Sequence, residues 1–285
     1  MKLAFLSGKG GVGKTLVSTN FARLIPEAVY LDCDVEEPNG AIFLKPQIEQ
    51  VLEVKVLNPE PLLEKCQGCR RCVAFCKFYA LAYVGQLMVF PELCHACGGC
   101  WTLCPAEALQ AKERVIGKIE LGRSGELLTR VGLMNPGEAT GVPIIKQLLR
   151  ELPPEKMVVI DCPPGSGCAV LESLKEADFA VLVAEPTTFG LHDLEMVCEL
   201  VRFYQLPAGV VINKQTEERV EVEAFCARHQ LPVLGKIPYQ AKTAALYGAG
   251  KLIVDEDPEA RQLFAKIVET VMEVATIETD RHLKR

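Results

Sequence analysis

Short apolar runs recur along most of the chain, each closed by a turn-forming or polar residue. "KLAFLS" (2–7), running into Gly8, and "AVYLDCD" (28–34) open the series. "KMVVIDCPP" (156–164), "FAVLVAEP" (179–186), "AGVVINK" (208–214) and "PVLGKIP" (232–238) continue it. Between these runs the apolar period lengthens to that of a helix. "TLVSTNFARLI" (15–25) sets Val17, Phe21, Leu24 and Ile25 on one face. "GLHDLEMVCELVRFY" (190–204), "EERVEVEAFCARHQ" (217–230) and "PEARQLFAKIVETVMEVA" (258–275) predict further helices. Strands that are apolar throughout and alternate with helices predict an α/β fold, a doubly wound, mostly parallel sheet covered on both faces.

The stretch 58–112 breaks this rhythm. It lacks long helical patterns and holds eight of the thirteen cysteines, in two runs 28 positions apart: Cys66, Cys69, Cys72, Cys76 and Cys94, Cys97, Cys100, Cys104. It reads as a small α+β module (58–112) inserted into a discontinuous domain formed by 1–57 and 113–285. Two domains in series are the alternative. The acidic ends of the runs at 28–34 and 156–164 look like parts of one site, which favours insertion.

Composition narrows the classes. A net charge of −6 offers no basic footprint for nucleic acid. No apolar run reaches the ~18–20 residues of a membrane span, and no leader-like segment precedes the first strand, so the expected location is cytoplasmic. The stretch 262–285 balances Lys266, Arg281, Lys284 and Arg285 against Glu269, Glu273, Glu278 and Asp280, a poor match to anionic lipid. Thirteen cysteines in a reducing compartment read as metal ligands or redox groups before disulfides.

Gly8-Lys9-Gly10-Gly11-Val12-Gly13-Lys14-Thr15 fits G-x-x-x-x-G-K-S/T between a strand and an amphipathic helix. Glycines let successive backbone N–H groups converge on phosphate oxygens, and the helix adds its positive N-terminal end. Lys14 would reach the β- and γ-phosphates and Thr15 would offer its hydroxyl to Mg²⁺. The second lysine in the loop, Lys9, makes the sequence resemble the MinD/ParA/Mrp class of P-loop ATPases, whose altered loop reads K-G-G-x-G-K-S/T. That resemblance implies a nucleotide-dependent homodimer that hydrolyses ATP, with Lys9 reaching the phosphates of the facing subunit. "LDCDVEEPN" (31–39) resembles the class's switch I, placing Asp34 where an aspartate orients the attacking water and helps order Mg²⁺. "VVIDCPPG" (158–165) resembles its switch II, with Asp161 holding Mg²⁺ through water, and "VVINK" (210–214) places Asn213 against the adenine edge.

C-x₂-C-x₂-C-x₃-C-P is the two-cluster bacterial ferredoxin run, in which the fourth cysteine of each run serves the other cluster. One 4Fe–4S cluster would thus take Cys66, Cys69, Cys72 and Cys104, and the other Cys94, Cys97, Cys100 and Cys76. The second run ends in Cys104-Pro105 as the pattern asks, whereas the first ends in Cys76-Lys77. Zinc sites usually pair C-x₂-C couples across a longer gap. The insert resembles the ferredoxin module of a MinD-superfamily subgroup. Lys65, Arg70, Arg71 and Lys77 surround the first run and are expected either to raise the potential of its cluster or to form a solvated face. Cys198 and Cys226 read as small core residues. Cys168 follows Asp161 at a spacing similar to one cluster ligand of the nitrogenase iron protein. No upstream match to that protein's second ligand exists in 105–161, so no bridging cluster is expected.

Three functions compete: a nucleotide-gated redox ATPase with an unidentified redox partner, an iron–sulfur assembly or carrier ATPase, and a MinD-like positioning protein with redox-sensing clusters.

Overall fold

The computed structural model describes residues 1–154, 156–216 and 221–283, with side chains to residue 279. In chain order, β1 (Lys2–Leu6), α1 (Lys14–Arg23), β2 (Val29–Asp32) and α2 (Gly40–Leu44) lead into a long strand, β3 (Gln47–Pro61). The cysteine region follows, with α3 (Arg71–Phe75), β4 (Leu81–Val84), β5 (Gln86–Val89) and α4 (Gly99–Thr102). The chain returns through β6 (Leu109–Ser124) and β7 (Leu127–Met134) to α5 (Val142–Leu148), β8 (Val158–Asp161), α6 (Cys168–Leu174) and β9 (Phe179–Ala184). It closes with α7 (Thr188–Phe203), β10 (Ala208–Gln215), α8 (Glu221–Arg228), β11 (Val233–Pro238), α9 (Ala241–Gly248), α10 (Ile253–Glu256) and α11 (Pro258–Leu283).

Nine strands form one sheet in the order β11-β10-β9-β1-β8-β2-β7-β6-β3. The pairings from β11 to β7 are parallel, and β6 and β3 join as antiparallel edge strands. Two apolar layers cover the faces. Phe5, Phe21, Tyr30 and Phe264 are buried on the side of α1 and α11; Leu31, Ile144, Leu148 and Leu182 are buried on the side of α5. β1, β8 and β9 are fully or almost fully buried along their length, as their unbroken apolar runs require.

The outer part of the sheet differs from the sequence reading. β3 and β6 pair over Gln47↔Arg123 to Pro61↔Leu109, a ribbon absent from the predicted strands. Exposed and buried positions are interspersed along both strands, with Val51 at 52%, so neither carries a continuous apolar run. β7 covers only the Gly117–Ser124 half of β6. The other half, with its β3 partners, projects past Met134. Since β7 runs parallel to β2, the projection leaves the carboxyl edge of the sheet, where an open α/β fold binds ligands. A bulge marks the point of departure: Val54 pairs with Gly117 and Lys55 with Val115, leaving Ile116 over.

Other boundaries shift modestly. α1 ends at Arg23 and leaves Leu24 and Ile25 half-buried beyond it. The first four residues of the helix expected over 217–230 lie outside the described residues, as do Lys284 and Arg285 of the 262–285 stretch. α11 runs past 275 to Leu283. No described helix is long and apolar enough to cross a membrane.

At the tip of the ribbon the backbone repeats itself with the 28-residue offset of the cysteines. Leu63–Lys65 and Pro91–Leu93 are 3-10 turns, and α3 and α4 follow them at equivalent places. Left-handed φ recurs at Gly68 and Ala96, Arg70 and Gly98, Tyr79 and Glu107. The two halves interlock reciprocally: Leu62 N–H donates to Ala108 O and Phe90 N–H to Ala80 O, each at 2.9 Å. The expected boundaries at 58 and 112 fall on Asn58↔Lys112, a pair within the ladder.

Candidate functional site

The loop between β1 and α1 wraps over the carboxyl edge with Gly11 and Gly13 at positive φ. Both Gly8 and Gly13 are required by close approach. A Cβ on Gly8 would stand 2.3 Å from Asp193 O, and one on Gly13 2.2 Å from Asn213 Nδ2. Gly10 and Gly11 face open space, which leaves the loop backbone accessible from above. Val12 is buried beneath. The loop borders a cavity of about 340 Å³, also lined by Lys14, Thr15, Asp34, Asn213 and Tyr247.

Lys14 is buried, and its Nζ lies 2.5 Å from Asp161 Oδ1. Asp161 Oδ2 accepts the Tyr30 hydroxyl at 2.9 Å. Burial works to lower the Lys14 pKa, but Asp161, Asp32 and Asp34 raise it, and the net shift is upward. The same surroundings push Tyr30 well up, through burial and then Asp161.

Three carboxylates therefore meet one ammonium, and the sequence reading had singled out only two. β2 ends at Asp32, and Asp32 rather than Asp34 stands in register with Asp161 on β8. Asp32 is fully buried. Its Oδ2 accepts Gly40 N–H at 2.8 Å and its Oδ1 accepts Asp34 N–H at 3.3 Å. Burial and Asp161 raise its pKa. Asp34 lies two residues past the strand, half-buried in the cavity wall, and burial pushes it up to about 6 against a downward pull from Lys14. The segment Asp32-Cys33-Asp34 offers two carboxylates in sequence, and only the pairing with β8 singles out Asp32 as the one beside Asp161.

Lys9 is held within its own chain. Its Nζ lies 2.9 Å from Glu185 Oε1 and 3.4 Å from Asp193 Oδ2, and it sits over the Phe189 ring at 5.9 Å. The Glu185 hydrogen bond is the leading cause of its raised pKa. Glu185 also pairs with Lys214, which donates to Gly11 O at 2.7 Å. Asn213 donates its Nδ2 to Val12 O at 2.8 Å, so it braces the phosphate loop while lining the cavity. Thr15 lines the same cavity.

The eight cysteines of the two runs gather at the ribbon tip. A small pocket is lined by Cys94, Cys97 and Cys100 of the second run together with Cys76 of the first. Burial raises the Cys94 thiol, and Cys97 and Cys76 are among the groups acting on it. Burial likewise raises Cys72, with Cys104 and Cys69 among its neighbours. Each run thus brings its last cysteine to the opposite run. Backbone N–H groups point at sulfur, from Ala96 to Cys94 Sγ at 3.4 Å and from Ala108 to Cys104 Sγ at 3.2 Å. Cys66, Cys72 and Cys76 pack against a separate small core of Leu81, Leu87, Cys100 and Leu109. Among the described residues no three His, Cys, Asp or Glu side chains close on a single ion.

The remaining thiols separate by burial. Cys33, Cys162, Cys198 and Cys226 are buried, and Cys168 is exposed at the start of α6. Lys65, Arg70, Arg71 and Lys77 are all exposed, with the Arg70 guanidinium over the Tyr83 ring at 5.0 Å.

A protein of Methanocaldococcus jannaschii, itself of uncharacterized function, is 28% identical over 278 residues, covering 96% of this chain and 97% of its own. The iron-sulfur cluster carrier protein of Pyrococcus horikoshii is 23% identical over 294 residues, 95% of this chain and 85% of the relative. Among solved structures, the septum site-determining protein MinD of Pyrococcus horikoshii, complexed with Mg-ADP, superposes with a TM-score of 0.60 at 17% identity over 97% of both chains. MinD in the MinC:MinD complex of Aquifex aeolicus gives 0.59 at 16%, over 95% of both chains. Residues 3–253 match the CobQ/CobB/MinD/ParA nucleotide binding domain, and the chain belongs to that P-loop family.

Proposed function

We propose that this family member hydrolyses ATP as a nucleotide-dependent homodimer and carries two 4Fe–4S clusters on its ribbon, with nucleotide state gating electron transfer through them. The observation that carries the reading is the mixed pocket: Cys76 of the first run lines the same space as Cys94, Cys97 and Cys100 of the second. Three thiolates on one tight loop leave one iron of a cubane to be capped from elsewhere, and the reciprocal repeat supplies that cap twice. The N–H groups aimed at Cys94 and Cys104 suit sulfurs that carry negative charge. The ligand sets are then Cys66, Cys69, Cys72 and Cys104, and Cys94, Cys97, Cys100 and Cys76, with the inserted module spanning 58–112. Bound in these sets, the clusters would supply one-electron chemistry.

At the other site the donor set fits Mg²⁺ and a triphosphate. Thr15 would give its hydroxyl to the cation, and Asp161 would hold it through water. Lys14, buried among Asp161, Asp32 and Asp34, would exchange carboxylate contact for phosphate contact. Asp34, in the cavity wall, would orient the attacking water. Lys9 would leave Glu185 and Asp193 to reach the partner's nucleotide, while Asn213 holds the loop and faces the base. Hydrolysis would therefore be slow in isolated chains and faster on dimerisation.

The chain should be purified without oxygen and its iron, sulfide, visible and paramagnetic-resonance spectra recorded with and without MgATP. Two clusters require eight iron atoms per chain; zinc alone, or a small fraction of that iron, rejects the reading. Identical cluster potentials and partner reduction with and without MgATP would reject gating. A second reading, a cluster carrier ATPase, is favoured by the carrier relatives that match 95% of this chain. Transfer of clusters to an apo-acceptor would select it over electron transfer.

A further inference from the structure

The internal duplication makes departures from symmetry informative, and one sits at Pro91, the first residue of the turn before Cys94. Its carbonyl accepts two side-chain donors from the ribbon, Asn58 Nδ2 at 3.1 Å and Arg114 Nη2 at 3.0 Å. The counterpart carbonyl in the first half, Leu63 O, accepts only Cys66 N–H among the described residues. Arg114 also forms a two-pronged pair with Glu138, at 2.6 and 2.5 Å. Glu138 is 7% exposed and Arg114 24%, so solvent screens this pair far less than the four exposed bases around the first run. The Arg114 charge stands beside the second run: Cys94 N–H donates to the same Pro91 carbonyl at 3.1 Å, so the guanidinium and the Cys94 backbone share one acceptor.

Glu138 stands on a loop that is bonded to the segment following Asp34. Met134 N–H donates to Val35 O at 2.8 Å, directly after Asp34, and Asn135 N–H donates to Ile116 O at the bulge, at 2.9 Å. Gly141, at the loop's far end, lies so close to Val35 that a Cβ there would stand 2.3 Å from Val35 Cγ2. Contacts at both ends therefore tie the loop that carries Glu138 to the Asp34-Val35 segment.

We infer that Arg114 and Glu138 form a charged latch between the phosphate site and the second cysteine run, in which Arg114 holds Pro91 and lends positive charge beside Cys94 while Glu138 cancels it to a degree set by the Asp34 segment. Arg114 is a positioning residue in this scheme, and the scheme rests on the two-cluster reading above. Net charge near a cluster is one determinant of its potential. Removing the cation therefore favours the oxidised cluster, and removing the anion favours the reduced one.

The test uses the full chain, reconstituted without oxygen, with both cluster potentials followed by paramagnetic resonance in MgADP and in MgATP. Arg114→Gln should lower the potential of one cluster and Glu138→Gln should raise that same cluster, with the other unmoved in each. Both should lose the nucleotide-dependent difference that the unsubstituted chain shows for that cluster. Arg114→Lys keeps the charge and should stay near the original potential. Shifts of the same sign in Arg114→Gln and Glu138→Gln, or no shift in either, overturn the latch, as does an Arg114→Lys potential equal to that of Arg114→Gln. A chain that holds no iron overturns the cluster reading itself, an outcome visible before any potential is measured.

Discussion

Lys14 and Asp161 neutralise each other inside the protein, Nζ to Oδ1 at 2.5 Å, with the Tyr30 hydroxyl on the other carboxylate oxygen. The lysine proposed to bind phosphate is thus already paired with the carboxylate proposed to hold the cation. A triphosphate with its Mg²⁺ would substitute for both partners at once. Lys14→Met strands Asp161, Asp32 and Asp34 without their shared cation. The expected cost is about 3–5 kcal/mol of stability, the range for breaking a buried ion pair, along with loss of nucleotide binding. Urea denaturation and an ADP titration measure the two effects.

The raised Asp34 pKa fixes a direction for pH dependence. Its carboxyl titrates at about 6 in the folded chain, against roughly 3.9 when unfolded. Between those values the folded state binds the extra proton, so this residue's contribution falls as pH rises from about 4 to 6. Asp34→Asn should flatten that part of the stability profile and leave a higher plateau above it. Denaturation midpoints from about pH 4 to 8 provide the check, and a profile of unchanged slope would contradict it.

Lys9 is tied to Glu185 and Asp193 by half-exposed contacts, which contribute no more than about 1 kcal/mol. Lys9→Ala should therefore leave the monomer's stability and ADP affinity nearly unchanged. If Lys9 acts across the dimer, hydrolysis should drop by about 10³-fold or more, the order of a cationic finger supplied in trans. Single-turnover rates beside sedimentation in ATP separate chemistry from assembly.

Val35 connects Asp34 to the sheet by packing against Gly132. A Cβ at Gly132 would meet Val35 Cγ1 at 2.6 Å and Leu148 Cδ1 at 2.8 Å. Gly132→Ala should cost about 1–3 kcal/mol, the usual penalty for overpacking a core. It should also slow hydrolysis by displacing Asp34, without loss of iron. Denaturation, iron content and turnover on one preparation test all three.

The parts of the fold legible in the sequence are those with local signatures. β1, β8, β9 and β10 are buried on both faces, so their apolar runs are unbroken. The phosphate loop is legible because its glycines answer contacts that only a bare backbone permits, Gly8 against Asp193 and Gly13 against Asn213. The β3–β6 ribbon was not legible. Its strands expose Ile48, Val51 and Leu57, send only scattered residues such as Val54 and Ile119 into the core, and find their partners in each other across the whole cysteine region. Nor could local pattern tell Asp32 from Asp34, because only the register with Asp161 distinguishes them. The cis partners of Lys9 lie about 180 residues away, beyond any spacing rule.

The bulge at Ile116 gives the cysteine region the mechanics of a lever. Seven residue pairs of two-stranded ribbon stand beyond the fulcrum, roughly 23 Å of reach, so a tilt of about 10° would carry the thiols through roughly 4 Å. Electron hopping fades steeply across gaps of that size. With the proposed clusters bound, a small angular adjustment at the sheet's rim would be enough to bring them within range of a docked protein or withdraw them.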